Sequence, residues 1–210
     1  MSTQETRTRE AICALGAKLA ARGLCPGTSG NISARIDDGW LMTPTGVSLG
    51  RLDPARLSRL DAEGKHIGGN PPTKESFLHL AMYGEREGAG AVVHLHATHS
   101  VAVSCLDGID PEDVMPPITA YYVMRVGKLP LVPYYAPGDR ALGAAVGRLA
   151  SRHAAMLLAN HGPVVAGTSL SAAVDALAEL EGPARLYLLL PGRPPRYLTS
   201  APVADLKRRF

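Results

Sequence analysis

A chain of 210 residues suits one domain with a substantial core. Hydrophobic residues make up 46% and charged residues 20%, a globular balance that excludes a disordered chain. The net charge of +3 is too small to argue for a nucleic-acid partner, but it leaves room for a local basic site that draws an anionic metabolite.

Three cysteines, Cys13, Cys25 and Cys105, have no CxxC spacing, which argues against a disulfide framework and fits a reducing compartment. The segment MSTQETRTRE is polar and has no apolar core of a secretory signal. No uninterrupted apolar run approaches the about 20 residues a membrane span needs. The expectation is a soluble, cytoplasmic protein with no membrane and no nucleic-acid partner.

In chain order, an amphipathic helix is expected from about Glu5 to Arg22, with Ile12, Leu15 and Leu19 on one face and Gly23 as its stop. NISARIDDGWLMTP reads as a hairpin because Asp38-Gly39 sits between two alternating strands. A second hairpin is expected around LSRLDAEGKHIGG. After Pro71-Pro72, TKESFLHLAMYGER is helical in pattern. AGAVVHLH reads as a strand and THSVAVSCL as the helix after it. Residues Asp107 to Pro137 read as irregular, with a short strand near Leu131. A helix over Asp139–Arg152, the strand AAMLLAN, the segment HGPVVAG and a long helix from Ser169 to Leu190 follow, and a Pro-rich tail closes the chain. This alternation defines a single α/β domain over residues 1–210: an αβ sandwich with a mixed, largely antiparallel sheet flanked by helices.

The stretch AVVHLHATHS carries three of the seven histidines. Residues two apart on a strand point the same way, so His94 and His96 project together while Val93 and Leu95 face the opposite side and pack. Two imidazoles side by side make half of a tetrahedral metal site. His161, at the end of an apolar strand and before a Gly-Pro turn, offers a third ligand. Three neutral imidazoles with one open position describe a catalytic zinc site, although such ligands also suit Co2+, Ni2+ or Mn2+. His99 is either a partner of these ligands or a surface residue. His66, His79 and His153 belong to no constellation and are expected to be structural.

GTSGNIS (27–33) and TPTG (43–46) are loops able to present amides and hydroxyls to an anion, and they are expected to close on one another. In PPTKES, Thr73 is placed to cap the following helix, Lys74 adds a cation, and Glu75 is a carboxylate in the first turn, where the helix dipole alone would favour it.

TSGN, TPTG, a Glu after a Thr-rich turn, HxH in a strand and a later NHG together resemble the class II aldolase/adducin-like family. PTKES, VVHLHATHSVAVSCL, AYYVMRVGKLPLVPYYAPGD and LLANHGPVVAG are similar to its 3-oxo-tetronate 4-phosphate decarboxylase branch. The resemblance implies the class II aldolase-like αβα fold and a homotetramer with active sites between subunits. It implies one zinc per subunit held by His94, His96 and His161, with Glu75 as acid/base and as a further ligand when no substrate is bound. Thr28, Gly30, Asn31, Thr45, Gly46 and Thr73 would hold the phosphate of a phosphorylated acid sugar. Lys74 would offset the substrate's carboxylate, and Tyr122 would serve a neighbouring subunit as proton donor. The implied reaction is loss of CO2 to give dihydroxyacetone phosphate through a metal-stabilised enediolate. The rivals are a sugar-phosphate aldolase or 4-epimerase of the same family, and a non-catalytic adducin-like interaction module.

Overall fold

Helix α1 (Thr3–Ala21) buries Ile12, Gly16 and Leu19 along one stripe. It stops at Gly23, whose φ of 70° suits a residue without Cβ, and the amides of Gly23 and Leu24 return to the carbonyls of Ala20 and Leu19. That pair of bonds is the Schellman closure expected of a terminal glycine. The computed structural model describes residues 3–190, 192 and 195–209.

Strands β1 (Asn31–Ile36) and β2 (Gly39–Met42) form the first hairpin, turning through Asp37-Asp38 rather than Asp38-Gly39. Gly39 opens β2, and a Cβ there would stand 2.1 Å from the Leu60 carbonyl oxygen. The second hairpin, β3 (Ser58–Asp61) and β4 (His66–Gly68), is turned by Asp61, whose carboxylate accepts from the Lys65 amide at 2.8 Å. Helix α2 (Ser76–Glu85) precedes β5 (Ala91–His94), and helix α3 (Thr98–Ser104) follows it. Helix α4 (Ala120–Arg125), strand β6 (Leu131–Val132), helix α5 (Ala141–Ala150), strands β7 (Ala155–Leu158) and β8 (Gly162–Gly167), and helices α6 (Leu170–Leu189) and α7 (Ser200–Arg209) complete the described chain.

All eight strands form one sheet in the order β4-β3-β2-β1-β5-β8-β7-β6. Among the described residues, only β6 and β7 pair in parallel. The expected mixed, largely antiparallel sheet is therefore present. Ile32, Ala34, Val93, Leu95 and Val165 point to one face and pack with Leu19 of α1 and Leu177 and Leu180 of α6. Val92, Met156, Val164 and Ala166 point to the other and pack with Leu78 and Met82 of α2 and Leu142 and Val146 of α5. Near-continuous apolar runs such as AVVH reflect a strand covered on both sides.

Three expectations are corrected. Strand β5 ends at His94, so His96 lies in the connection beyond it. The segment 107–137 contains α4, which Thr119 caps by accepting from the Tyr122 amide at 3.1 Å. The tail ends in α7, with Lys207, Arg208 and Arg209 in its last turn where the helix dipole favours cations. Of the Pro-rich stretch before it, residues 191, 193 and 194 lie outside the described residues. Ser169 caps α6, accepting from the Ala172 amide at 3.1 Å.

Candidate metal centre and active site

The sheet register builds the site. Asn31 opposes His94, and Ser33 opposes Val92, across the antiparallel β1–β5 pair. Opposed residues share a face, so Asn31, Ser33 and His94 join the side covered by α2. All three are buried. Burying polar groups on an otherwise apolar face is costly unless they are paired, and each of them is.

His94 donates from Nδ1 to the Pro163 carbonyl at 2.8 Å. That carbonyl only accepts, so it fixes the tautomer and leaves the Nε2 lone pair bare toward the site. Burial pulls the His94 imidazole down to about 3, against the opposing pull of Glu75, and the ring is neutral at pH 7. Burial lowers His96 as well. His161 arrives from the β7–β8 turn, where Asn160 takes a φ of 55° and Gly162 a φ of 150°. A Cβ at Gly162 would stand 2.4 Å from the Leu95 carbonyl oxygen, so only glycine lets this turn press against the end of β5.

The three rings converge. Centroids are 5.1 Å apart for His94–His96, 4.7 Å for His94–His161 and 4.7 Å for His96–His161. His94 Nε2 and His161 Nε2 are 3.3 Å apart, close to the about 3.4 Å between two imidazole nitrogens on one tetrahedral ion at roughly 2.1 Å. His96 Nε2 is buried with no hydrogen-bond partner among the described residues. An orphaned buried imidazole nitrogen facing the Nε2 atoms of His94 and His161 is what a cation would satisfy. Ligand atoms of Glu75, His94, His96 and His161 all lie within 4.8 Å of one another. The donor set fits a divalent metal ion.

Glu75 sits at the N-cap of α2, not in its first turn, and its side chain caps nothing. Thr73 caps no amide of the helix itself; its hydroxyl accepts from the Glu75 amide at 3.3 Å. A capping bond therefore does not account for Glu75. Its Oε1 is 3.2 Å from His161 Nε2 and its Oε2 is 3.5 Å from His94 Nε2. Asn31 Nδ2 donates to Oε2 at 2.7 Å. Burial pushes the carboxyl up, but the bond with His161, the nearby His94 and the Asn31 amide outweigh it and hold Glu75 well below the usual carboxylate range.

Beside the histidines lies a cavity of about 260 Å³ lined by Thr28, Ser29, Gly30, Asn31, Pro44, Thr45, Gly46, Thr73, Lys74, Glu75, Pro137 and Gly138. The loops are tied together: the Thr45 amide donates to Pro71 O at 3.0 Å, and the Thr73 amide to Thr43 O at 3.1 Å. Gly30 has a φ of 78°, and a Cβ there would meet Leu95 Cδ2 at 2.9 Å. Every residue expected at the anion loops lines this one cavity, and Glu75 belongs both to it and to the imidazole cluster.

Tyr122 is placed elsewhere. It is 1% exposed, packed in the core, and its hydroxyl is buried with no hydrogen-bond partner among the described residues. Tyr121, one residue earlier on α4, is 61% exposed. His99 pairs with Glu181 at 2.7 Å, where Glu181 also accepts from the His99 and Ser100 amides at the start of α3. Among the described residues, His66 and His153 bond backbone carbonyls, of Gly68 and Lys128. His79 was expected to be merely structural, yet it bonds Asn31 and so stands one residue from Glu75. Ser29, Pro44, Pro137 and Gly138 were also missed at the cavity; Gly138, with a φ of 85°, carried only the signal of a Pro-Gly turn.

An αβ sandwich with a three-histidine, one-carboxylate cluster against a polar, loop-built cavity has the make-up of a metal-dependent enzyme. The family model described as class II aldolase and adducin N-terminal domain matches residues 10–188, and the chain belongs to that family. Among relatives, the 3-oxo-tetronate 4-phosphate decarboxylase of Pectobacterium atrosepticum is 49% identical, covering 97% of this chain and 94% of that one. The L-fuculose phosphate aldolase of Escherichia coli K12 is 37% identical, covering 79% and 75%. The crystal structure of YgbL from Escherichia coli superposes with a TM-score of 0.96 at 45% identity, covering 98% of this chain and all 100% of that one.

Proposed function

We propose that the protein is a metal-dependent carboxy-lyase that converts a 3-oxo-tetronate 4-phosphate to dihydroxyacetone phosphate and CO2. One observation carries this reading: Glu75 is shared by the imidazole cluster and the anion cavity. A phosphate held by the loops of Thr28, Thr45 and Thr73 puts the carbons two and three bonds away at Glu75. The near-full-length likeness to decarboxylases of that name supports the same substrate.

His94, His96 and His161, with Glu75 at rest, would hold one zinc ion per subunit; Co2+, Ni2+ or Mn2+ suit the same ligands. When bound, the ion supplies Lewis-acid stabilisation of negative charge developing on substrate oxygen. In the reaction the C1–C2 bond breaks, CO2 leaves, and the electron pair left at C2 delocalises into the C3 carbonyl as an enediolate. Glu75, ionised at rest, takes up a proton from solvent and passes it to C2, which completes dihydroxyacetone phosphate. Thr28, Gly30, Asn31, Thr45, Gly46 and Thr73 anchor the non-reacting end, which fixes the scissile bond relative to Glu75. Lys74, exposed at the rim, answers the substrate's second anionic group.

We assign the working assembly to a homotetramer with sites between subunits, in the cytoplasm, in keeping with three free cysteines. In such an assembly Tyr121, not the buried Tyr122, is the member of this doublet able to meet a neighbouring subunit's site. No described helix is long and apolar enough to cross a membrane.

The test is a substrate panel: a 3-oxo-tetronate 4-phosphate, L-fuculose 1-phosphate and a pentulose 5-phosphate, with CO2 and dihydroxyacetone phosphate both measured. Equimolar CO2 and dihydroxyacetone phosphate from the acid is the expected result. Dihydroxyacetone phosphate and an aldehyde from fuculose phosphate, with no CO2 from the acid, would instead make the protein an aldolase.

A further inference from the structure

We infer that His79 is a positioning residue for this reaction: through the Asn31 amide it holds Glu75 Oε2 in place as a hydrogen-bond acceptor beside the imidazole cluster. The inference rests on Glu75 being the group that handles the proton.

The directions of donation follow from one end. An ionised carboxylate only accepts, so the Asn31 amide turns its NH2 to Glu75 Oε2 at 2.7 Å. Its Oδ1 then faces His79 Nε2 at 2.5 Å, and that nitrogen must carry the proton. His79 Nδ1 is left as an acceptor and takes the Ser33 hydroxyl proton at 2.7 Å. With its only proton spent, Ser33 Oγ accepts from the Tyr83 hydroxyl at 2.9 Å. Tyr83 to Ser33 to His79 to Asn31 to Glu75 is a chain of four hydrogen bonds with every donor pointing toward the carboxylate.

Burial makes that order strict. His79, Ser33 and Asn31 are 0%, 0% and 4% exposed and Tyr83 is 3% exposed, so water cannot replace a missing partner. Burial also pulls the His79 imidazole down to about 4, so the ring is neutral and has one proton to place. The chain does not conduct protons, because an amide gives up its hydrogens far too reluctantly to relay them. It is an orienting device. A site needing only bulk here would use apolar residues, as Leu78 and Met82 do on the same helix.

Two measurements test this, one of which needs neither metal nor turnover. Ring 15N shifts of the metal-free, histidine-labelled protein at pH 7 are expected to show His79 protonated at Nε2 and bare at Nδ1; a proton on Nδ1 overturns the chain. In kinetics, His79→Gln, which keeps a donor near the Nε2 position, is expected to stay within roughly threefold of the parent. His79→Phe is expected to lose on the order of 10–100-fold in kcat, the size of leaving the buried Asn31 carbonyl oxygen without its donor, with KM and metal content nearly unchanged. Equal rates for the Gln and Phe variants overturn the positioning role. If the unaltered enzyme releases no CO2 from the acid, the proposed reaction fails by itself, and the nitrogen shifts still decide the chain.

Discussion

Asn31 on β1 and His94 on β5 are register partners, so the residue that steadies Glu75 and a residue of the imidazole cluster stand side by side on one sheet face. A one-residue slip of β1 would send Asn31 to the opposite, apolar face and bring Ile32 against the cluster. The site's precision is thus set by strand pairing, and loops add to it.

Glu75→Gln is expected to keep the fold and the metal but lower kcat by about 10²–10⁴, the usual value of acid/base help. The amide remains close in shape, and three imidazoles remain as ligands. Metal analysis together with steady-state rates checks it; an unchanged kcat removes Glu75 from proton handling.

The metal-free protein is expected to lose stability as pH falls below 6.5. Burial pulls His79 down to about 4 and His94 to about 3, so the folded state refuses protons that the unfolded chain binds from its ordinary 6.5 downward. Each such proton costs about 1.4 kcal/mol per pH unit through that window, and the His79 contribution levels off near its folded value. Glu75, held low, acts in the same direction only below its ordinary 4.5. Urea unfolding at pH 7, 6 and 5 measures the slope, and a flat line contradicts the neutral buried pair.

Lys74→Ala is expected to raise KM for the acid substrate by about tenfold, or roughly 1.4 kcal/mol, with kcat little changed. Inhibition by dihydroxyacetone phosphate, which lacks the carboxylate, is expected to weaken much less. An equal loss for both ligands would reassign Lys74 to the phosphate.

Tyr121→Phe is expected to slow turnover by about 10–100-fold if its phenol donates a proton across subunits. Tyr122→Phe removes a buried hydroxyl that has no hydrogen-bond partner among the described residues, so it is expected to leave kcat unchanged and stability equal or higher. The opposite ranking of the two variants would contradict the assignment.

Much of this was legible from spacing. Alternation placed Val93 and Leu95 opposite His94, and the structure packs them in the other core layer. The Gly-rich loops met where expected because the strands on either side of them pair. His96 converges although β5 ends before it, since the Leu95 amide still donates to Pro163 O at 3.3 Å and carries the extended path onward. His79 was not legible: periodicity marks it as a buried helix position, but its partner Asn31 is 48 residues away and only the sheet register brings the two together. Tyr121 and Tyr122 were indistinguishable as a doublet, because α4 is a six-residue helix whose inward face is set by contacts with α6 and α7, not by its own pattern. Helix α7 buries none of its described residues, so no core-facing stripe marked it.

X-ray absorption at the metal edge of the purified protein tests the convergence of the three imidazoles most directly. The account predicts one divalent ion per chain with three imidazole nitrogens at about 2.0–2.1 Å and an oxygen ligand, one imidazole lost in His96→Ala, and no decarboxylation after chelation. A stoichiometric ion lacking those imidazoles, or full activity in protein stripped of metal, would contradict it.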